Sequence, residues 1–334
     1  MNKLQVLGIG NILIDILADV SDEDILTLGL DKGIMKLVEE EERNKILDLL
    51  KNRTCEYICG GSAPNTVITL AALGVSSGLS GKVGRDELAD KYLTRLKDQG
   101  VRSYLSRSEG DTGTSIILIT PDSERTMNTS LGINRFYSKE DVNSSALAEA
   151  DYFYFTGYMW DTDSQKKALL EAINDARMNR TKIVFDLADP FAVNRSREDF
   201  LNMIHHHYDI VFANREEAKL LFNTECVENS VKELAHLCEI AVVKDGGNGS
   251  YVASGGKVWK IPVFKVDAVD STGAGDTYAA GFLYGLSQGY SLEKSGLFAS
   301  WLASRIVTIK GAQFPEAILK TLRKAISDGS WERS

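Results

Sequence analysis

Short apolar stretches rich in β-branched and aromatic residues recur along the chain and predict buried strands. They are QVLGIG (5–10), SIILIT (115–120), DYFYFTG (151–157), KIVFDLA (182–188), DIVFAN (209–214) and IAVVKDG (240–246). Helical periodicity fills several of the intervals, as in SQKKALLEAINDARMN (164–179) and SREDFLNMIHHH (196–207). Because strand, helix and strand at this spacing form right-handed crossovers, the pattern predicts an α/β domain with a mostly parallel sheet.

Two segments depart from this alternation. Residues 16–38, with KGIMKLV at 32–38, and residues 101–130, with TSIILIT followed by SERTMNTSLG, have the pattern of strands joined by turns. We expect them to form a small antiparallel β lid over the main domain, within a single domain spanning 1–334. A pair of ordinary hairpins on the sheet edge is the alternative.

Polar residues follow several of the predicted strands. Asp186 and Asp189 follow one strand, Asn214 ends the next, and Lys244-Asp245-Gly246 ends a third. Open α/β sheets bind their ligands at the carboxyl edge, where these residues would meet. The sequence therefore predicts a binding site at that edge.

Composition narrows the class of protein. The 334 residues are 43% hydrophobic and 25% charged, with a net charge of −9, which disfavours binding to nucleic acid or an anionic membrane. No apolar run approaches the ~20 residues that span a bilayer, and the N-terminus reads as a strand, not a signal peptide. Four cysteines without a matching Cys/His pair predict a reduced, cytoplasmic protein with no structural metal.

The stretch DSTGAGDTYAAG (270–281) carries the strongest chemical signal. It follows IPVFKVDAV (261–269), which predicts a strand, and leads into an apolar helix. Gly273 and Gly275 let an anion approach the backbone amides closely. Asp276 beside such an anion hole would repel a phosphate unless it takes a proton from an attacking hydroxyl. A simple cap of the helix is the alternative.

A second glycine-rich stretch, CGGSAPNTVITLAALG (59–74), also opens a helix. Gly60 and Gly61 precede the helix, and Asn65 lies in its first turn. Asn11 and Asp15 follow the first strand, where a carboxylate can accept hydrogen bonds from vicinal hydroxyls, although such an Asp is also a common turn residue. Neither a P-loop sequence nor a complete dinucleotide fingerprint is present, so a nucleotide enzyme would need another kind of phosphate site.

Together these motifs resemble the ribokinase-like (PfkB) carbohydrate and nucleoside kinases, and in appearance their bacterial adenosine kinase-like or sugar kinase branch. Residues 270–276 match the signature D-[ST]-x-G-A-G-D, and the segment from Gly60 through GKVGRDELA (81–89) matches the other family signature. The resemblance extends from GIGNILID to SRIVTIKGAQ (304–313). It implies a three-layer fold with a small β lid, and an ATP- and Mg²⁺-dependent kinase that phosphorylates a hydroxymethyl group of a sugar or nucleoside.

The resemblance also implies roles for individual residues. Asp276 falls on the catalytic base, and the amides of Gly273, Ala274 and Gly275 fall on the anion hole. The positions that hold sugar hydroxyls are Asn11, Asp15, Gly61 and Asn65. The nucleotide positions are Asn214, Lys244, Gly246, Gly249 and Thr272, with Glu217 near Mg²⁺ through water. Some relatives bind a monovalent cation such as K⁺, and its ligands would fall on Asp270, Thr272 and Gly311.

The acceptor is less defined than the reaction. We expect a nucleoside or sugar of the adenosine or ribose type. Met35, Met127, Phe136 and Trp160 are available to cover a base or sugar face, although each of them could instead belong to the core. Arg125 could instead meet an anionic acceptor, as in kinases of sugar phosphates or keto-sugar acids. A non-catalytic nucleotide-binding regulator is the alternative of another class, although it would need no base. The same resemblance allows a monomer or a homodimer.

Overall fold

The computed structural model describes residues 3–122 and 124–333, except for the side chains of residues 206 and 207. The strands are β1 Val6–Ile9, β2 Leu13–Asp19, β3 Met35–Leu37, β4 Glu56–Gly60, β5 Ser77–Val83, β6 Arg102–Arg107, β7 Gly113–Ile119, β8 Arg125–Ser130, β9 Tyr152–Thr156, β10 Lys182–Asp186, β11 Ile210–Asn214, β12 Ile240–Lys244, β13 Ser250–Ser254 and β14 Lys257–Ile261. The helices are α1 Asp22–Thr27, α2 Glu40–Leu50, α3 Ser62–Ala72, α4 Glu87–Asp98, α5 Ser144–Glu149, α6 Asp163–Met178, α7 Pro190–His207, α8 Arg215–Phe222, α9 Val227–Leu237, α10 Ala274–Ser287, α11 Leu292–Ile306 and α12 Glu316–Ser327.

The main sheet has nine strands in the order β14-β13-β12-β11-β10-β9-β1-β5-β6. The strands from β12 to β6 run parallel, and the hairpin of β13 and β14 adds two antiparallel strands at one edge. The predicted mostly parallel sheet is therefore confirmed. Its carboxyl edge brings the ends of β10, β11 and β12 side by side, because the strands are neighbours in register.

Side chains alternate between two cores, one on each face of the main sheet. On β9, Phe153 and Phe155 pack with residues of α6, α7 and α9 on one face, whereas Tyr154 packs with α10 and α11 on the other. This alternation follows from the two-residue period of a strand. The result is a helix–sheet–helix sandwich in which α3 and α10 lie on the same face.

A second sheet has five strands in the order β3-β8-β7-β2-β4. One face packs on α1, α2 and α4 through residues such as Ile14, Ile16 and Tyr92. The opposite face carries Asp15, Ser115 and Thr129, which are paired in register across β2, β7 and β8. These polar side chains face a cavity described below.

The second sheet differs from the lid expected over 16–38 and 101–130. β4 and the first residues of β2 lie outside those segments, and β6 belongs to the main sheet. The sheet is mixed, since β2 and β7 run parallel and so do β3 and β8. Helix α1 also interrupts the first segment. Ser123 of the second segment lies outside the described residues.

The strand expected over 261–269 is wrong, because β14 ends at Ile261. Pro262 follows at once, and it has no N–H with which to continue a strand ladder. The loop 262–273 instead runs along the cavity to the start of α10. None of the helices in the described ranges has the length and apolar composition that a bilayer crossing requires.

Candidate active site

A cavity of about 1430 Å³ lies between the carboxyl edge of the main sheet and the polar face of the second sheet. Its wall includes every residue that the resemblance assigns to the base, the anion hole, the sugar hydroxyls, the nucleotide and Mg²⁺. These residues are Asn11, Asp15, Gly61, Asn65, Asn214, Glu217, Lys244, Gly246, Gly249, Thr272, Gly273, Ala274, Gly275 and Asp276. Residues separated by more than 200 positions in sequence thus share one site.

Asp276 lies in the first turn of α10 with its carboxylate held by α3. Ser62 Oγ donates to Oδ1 at 2.6 Å, and Asn65 Nδ2 donates to Oδ2 at 3.1 Å. Burial raises the pKa of Asp276 to about 6, although the hydrogen bonds from Ser62 and Asn65 oppose the rise. At neutral pH the carboxylate is therefore ionised and fixed in orientation, yet basic enough to accept a proton.

The turn before α10 leaves backbone amides directed away from the helix. Gly273 is the N-cap with φ +72°, and a Cβ there would lie 2.5 Å from the Ala312 Cβ. The Ala274 N–H donates to the Ser271 carbonyl at 3.1 Å. It is therefore not free to bind an anion, in contrast to the predicted anion hole. Within the described ranges, no carbonyl or side chain accepts from the N–H of Gly275. The helix N-terminus adds its positive dipole to that amide.

A buried lysine reinforces this positive region. Lys244 Nζ lies 3.4 Å from the position that a Cβ on Gly275 would take, and it donates to Asp186 Oδ2 at 2.8 Å. Burial alone would lower the pKa of Lys244, but the carboxylates of Asp186 and Glu217 outweigh burial and raise it. The ammonium therefore stays charged beside the glycine turn.

Asn214 and Glu217 form a reciprocal cap at the start of α8. Glu217 N–H donates to Asn214 Oδ1 at 2.9 Å, and the Asn214 backbone N–H donates to Glu217 Oε2 at 2.7 Å. Burial raises the pKa of Glu217, which lies within the influence of Lys244 and Asp186. Among the described residues, no group of three or more His, Cys, Asp or Glu side chains forms a metal cage.

Mg²⁺ does not need such a cage. The ion is usually bound through one or two carboxylates, with phosphates and waters completing its shell. Asp186, at the end of β10, and Glu217, in the first turn of α8, supply two buried carboxylates on the cavity wall. The residues present therefore fit a Mg²⁺ ion that enters with a nucleotide.

Asp15 faces Asp276 from the second sheet. Burial, together with the charge of Asp276, raises the pKa of Asp15 to about 7. A Cβ on Gly60 would lie 2.4 Å from Asp15 Oδ2, so the glycine makes room for this carboxylate. Gly61 has φ +98°, and a Cβ there would lie 2.4 Å from the Asn11 carbonyl oxygen. Glycine is therefore required at both positions, because any side chain there would clash with Asp15 or with the Asn11 backbone.

The side chains of the two predicted asparagines, Asn11 and Asn65, form hydrogen bonds with other residues of the protein. Asn11 Nδ2 donates to the Tyr158 carbonyl at 3.1 Å, and Asn11 Oδ1 accepts from Gln165 Nε2 at 2.8 Å. Asn65 Oδ1 accepts from Gln313 Nε2 at 3.2 Å, so its amide is oriented with the NH₂ group toward Asp276. Asn65 therefore positions the carboxylate.

Asp270 lies beside the cavity in a cluster with Thr272 and Gly311, as the resemblance implied. Its partner from the second sheet is Arg125, whose Nη2 donates to Asp270 Oδ2 at 3.1 Å and whose Nη1 donates to Thr272 Oγ1 at 2.9 Å. The anionic acceptor considered for Arg125 therefore competes with a carboxylate of the protein. Arg125 therefore contacts two of the residues, Asp270 and Thr272, to which the resemblance assigns a monovalent cation.

Sequence analysis placed Asp186 at the ligand-binding edge without assigning it a role, and it missed Ser62 and Gln313. Ser62, the first residue of α3, contacts Asp276; Asp186 pairs with Lys244; and Gln313 orients Asn65. Asp186 had a visible signal, since it ends a predicted strand at the ligand-binding edge. Ser62 and Gln313 had none beyond their place in motif-bearing segments.

Of the four side chains expected to cover the acceptor, two line the cavity. Met35 and Met127 face each other in register on β3 and β8 and line the cavity. Trp160 is instead buried in the core, where its Nε1 donates to Asp199 at 2.9 Å. Phe136 is 58% exposed and lines a smaller neighbouring cavity of about 430 Å³.

An ionised carboxylate beside a glycine turn and a largely buried lysine, all on the wall of one cavity, suits the transfer of a phosphoryl group to an alcohol. The protein is a phosphotransferase of that class. Residues 23–318 match the family described as pfkB family carbohydrate kinase, and the chain belongs to this family. The predicted family and its ribokinase-like fold are confirmed.

Solved structures of related proteins extend over nearly the whole chain. Adenosine kinase from Sinorhizobium meliloti is 34% identical, with 97% of this chain and 100% of that chain covered and a TM-score of 0.88. A probable sugar kinase from Rhizobium etli CFN 42 is 33% identical, with 97% and 99% covered and a TM-score of 0.88. The 5-dehydro-2-deoxygluconokinase of Bacillus licheniformis is 28% identical over 261 residues, 75% of this chain and 80% of that protein.

Proposed function

We propose that this protein transfers the γ-phosphate of ATP to the hydroxymethyl group of a nucleoside or ribose-type sugar, with Asp276 as the base. The observation that carries the proposal is the Asp276 carboxylate, fixed by Ser62 and Asn65 at the junction of the glycine turn and the second sheet. A mere helix cap would not explain two side-chain donors from another helix. A nucleotide-binding regulator would not need an ionised base at this position.

The acceptor binds at the second-sheet end of the cavity. Asp15, Ser115 and Thr129 offer oxygen atoms in a row across that sheet, suited to the hydroxyls of a ribose ring. Ser115 Oγ and Thr129 Oγ1 lie 3.0 Å apart. Met35 and Met127 beside them give an adaptable apolar surface for a base. The similarity to the adenosine kinase from Sinorhizobium meliloti favours a nucleoside over a free sugar.

The phosphate donor binds at the opposite end. The Gly275 amide, the N-terminus of α10 and Lys244 present positive charge where negative charge develops on the transferring group. Gly246 and Gly249 lie on the same wall, and the loop 263–268 supplies an apolar surface. Asp186 and Glu217 would hold a Mg²⁺ ion bound with the nucleotide, which would neutralise phosphate charge.

Asp276 then accepts the acceptor's hydroxyl proton as the new P–O bond forms. Its pKa of about 6 leaves it ionised at neutral pH, and that of the alcohol is far higher, so the proton moves as the phosphoryl group is transferred. Asn65 and Ser62 keep the carboxylate oriented toward the acceptor. A substitution at Asp276 should therefore lower turnover and leave substrate binding nearly intact.

The test is ADP release in the presence of a panel of acceptors: adenosine, other nucleosides, ribose, fructose, fructose phosphates and 2-keto-3-deoxygluconate. We expect adenosine or another nucleoside to give the largest stimulation. Asp276→Asn should lower kcat by about 10²–10⁴-fold with little change in KM. Asp163→Asn, an exposed first-turn residue of α6, is the control and should behave as wild type. The kinase proposal fails if no acceptor raises ADP release above background.

A keto-sugar acid is the second candidate acceptor, favoured by the similarity to 5-dehydro-2-deoxygluconokinase. An acidic substrate needs a cationic side chain on the cavity wall, and the lysine and arginine near the acceptor end are paired. Lys36 is paired with Glu42, and Arg195 with Asp161. The same panel decides between the candidates, since stimulation by the keto-sugar acid alone would replace the nucleoside as acceptor.

A further inference from the structure

We propose that the guanidinium of Arg125 replaces the monovalent cation beside the anion-hole loop, so that phosphoryl transfer by this protein needs no K⁺. The inference rests on the proposed kinase function only for its activity measurements. It concerns the loop 270–273, which holds Asp270, Thr272 and the N-cap glycine of α10.

The guanidinium makes two contacts in this loop. Arg125 Nη2 lies 3.1 Å from Asp270 Oδ2, and Arg125 Nη1 lies 2.9 Å from Thr272 Oγ1. The two N–H groups thus bridge a carboxylate and a hydroxyl that the resemblance assigns to a cation. A guanidinium is always charged and presents its donors in a planar fork, which matches two neighbouring oxygens.

The Asp270 carboxylate has no acceptor capacity left for a second cation. Oδ1 accepts from the Thr272 N–H at 3.0 Å and from Thr272 Oγ1 at 2.7 Å. Oδ2 accepts from the Gly311 N–H at 2.8 Å as well as from Arg125. A carboxylate offers about four acceptor sites, and all four are used. A K⁺ ion at this carboxylate would have to displace Arg125.

The charge of the cluster is balanced as it stands. Asp270 is partly buried, with 9% of its side chain exposed, and 27% of the Arg125 side chain is exposed. Burial alone would raise the pKa of Asp270, but the hydrogen bonds from Gly311 and Thr272 and the charge of Arg125 outweigh it and lower the pKa. The carboxylate is therefore ionised and already has its counter-ion.

Arg125 reaches the loop from another part of the fold. It begins β8 of the second sheet, 145 residues before Asp270. The positive charge therefore reaches the loop with the second sheet, whereas a dissolved cation would bind the loop independently of that sheet. Thr272 is adjacent to Gly273, so the same contact stabilises the turn that directs the amides into the cavity.

The first experiment measures thermal unfolding without substrates, so it does not depend on the acceptor or on the kinase proposal. The protein is melted in potassium chloride and in tetramethylammonium chloride at equal ionic strength. We expect wild type to melt at the same temperature in both. Arg125→Ala exposes the oxygens of Asp270 and Thr272, and K⁺ should raise its melting temperature by about 2 °C. A K⁺ response in wild type equal to that of the variant overturns the proposal.

The second experiment measures turnover in the same two salts with the acceptor found in the panel. Wild-type kcat should agree within about twofold, while Arg125→Ala should lose activity and recover at least about tenfold with K⁺. Guanidinium ion at low millimolar concentration should restore the variant in the same way. If neither cation restores a folded Arg125→Ala, Arg125 acts elsewhere and the proposal is wrong.

Two further variants separate charge from folding. Arg125→Met keeps the aliphatic stem and serves if the alanine variant does not fold. Arg135→Ala removes an exposed arginine that pairs with Glu39 and should leave turnover and cation response unchanged. A wild-type kcat that rises more than about tenfold on exchange of tetramethylammonium for K⁺ overturns the proposal whatever the variants do.

Discussion

At the residue scale, Asp15 is a carboxylate proposed to bind the acceptor that also lowers the stability of the fold. The pKa of about 7 lies above the ordinary value of 3.8, so the folded protein binds this proton more tightly than the unfolded chain does. Ionisation of Asp15 therefore lowers stability as the pH rises from about 4 to 7, and the full cost is present above pH 7. Hydroxyl groups of an acceptor would relieve that cost by donating to the carboxylate.

Asp15→Asn should consequently make the protein more stable and less active. We expect the free energy of unfolding at pH 8 to rise by about 1–2 kcal/mol, with no gain near pH 4, because the variant removes a charge that burial disfavours. Urea unfolding at both pH values measures this difference. Acceptor kcat/KM should fall by about 100-fold with the loss of the anionic acceptor for the hydroxyls.

The control for Asp15→Asn is Asp19→Asn, which changes the same residue type at the exposed end of the same strand. It should alter neither stability nor kinetics. A gain for Asp15→Asn that is as large at pH 4 as at pH 8 would show that packing, not ionisation, is responsible.

At the scale of elements, the turn that opens α10 depends on one glycine. Gly273 and Gly289 have the same φ of +72°, one before α10 and one after it. A Cβ at Gly289 meets nothing within 4 Å, whereas at Gly273 it meets the Ala312 Cα at 2.7 Å as well as its Cβ. Substitutions at the two glycines therefore distinguish the effect of backbone strain, which both share, from that of a steric clash, which only Gly273 has.

Gly289→Ala should cost about 1–2 kcal/mol of stability, the usual penalty for a left-handed non-glycine residue, and leave turnover unchanged. Gly273→Ala should cost more, because Ala312 must move, and should lower kcat by at least about 100-fold as the amides turn away from the phosphate. Chemical denaturation and steady-state kinetics of both variants test this. Equal behaviour of the two would contradict a close approach at Gly273.

Local patterns predicted the main sheet well and the second sheet poorly, for a physical reason. Strands of the main sheet are buried on both faces and read as continuous apolar runs, such as Phe153 to Phe155. Strand β2 pairs with β7, about 100 residues further along, and no local pattern specifies that partner. In 262–269 the apolar residues Phe264, Val266 and Ala268 alternate with Lys265 and Asp267, which imitates a strand, but this segment is a loop that lines the cavity.

Some residues of the site could likewise be predicted from local sequence, whereas others could not. The glycine motifs predicted Asp276, Gly61 and Asn65, because close backbone approach requires glycine and is therefore visible in the sequence. The pairing of Arg125 with Asp270 left none, since it depends on how two sheets meet. Ala274 was assigned a free amide from the motif alone, whereas its hydrogen bond to Ser271 depends on the shape of the turn.

At the scale of the whole molecule, one glutamine joins distant segments behind the base. Gln313 Oε1 accepts from Arg95 Nε and Nη2 at 3.2 and 2.9 Å, and its Nε2 donates to the Cys59 carbonyl at 2.5 Å and to Asn65. The network connects α4, β4, α3 and, through Asn65, α10. The C-terminal segment therefore positions a carboxylate with which it has no direct hydrogen bond.

Gln313→Leu should lower kcat by about tenfold and the free energy of unfolding by about 1–3 kcal/mol, because Asn65 and the Cys59 carbonyl lose a donor. KM for the nucleotide should stay near its wild-type value. Gln288→Leu, at an exposed position after α10, is the control. Unchanged kcat in a destabilised Gln313→Leu would mean that the network serves stability alone.

The cavity-facing side of the second sheet has a consequence for how the acceptor specificity of such kinases can change. The residues around the transferred phosphate are constrained by close backbone approach and by shared ion pairs, so nearly every exchange there disrupts something else. Met35, Ser115, Met127 and Thr129 instead project into the cavity from β3, β7 and β8. If the acceptor binds on this face as proposed, exchanging a few of these side chains would alter the accepted alcohol and leave the residues around the transferred phosphate unchanged.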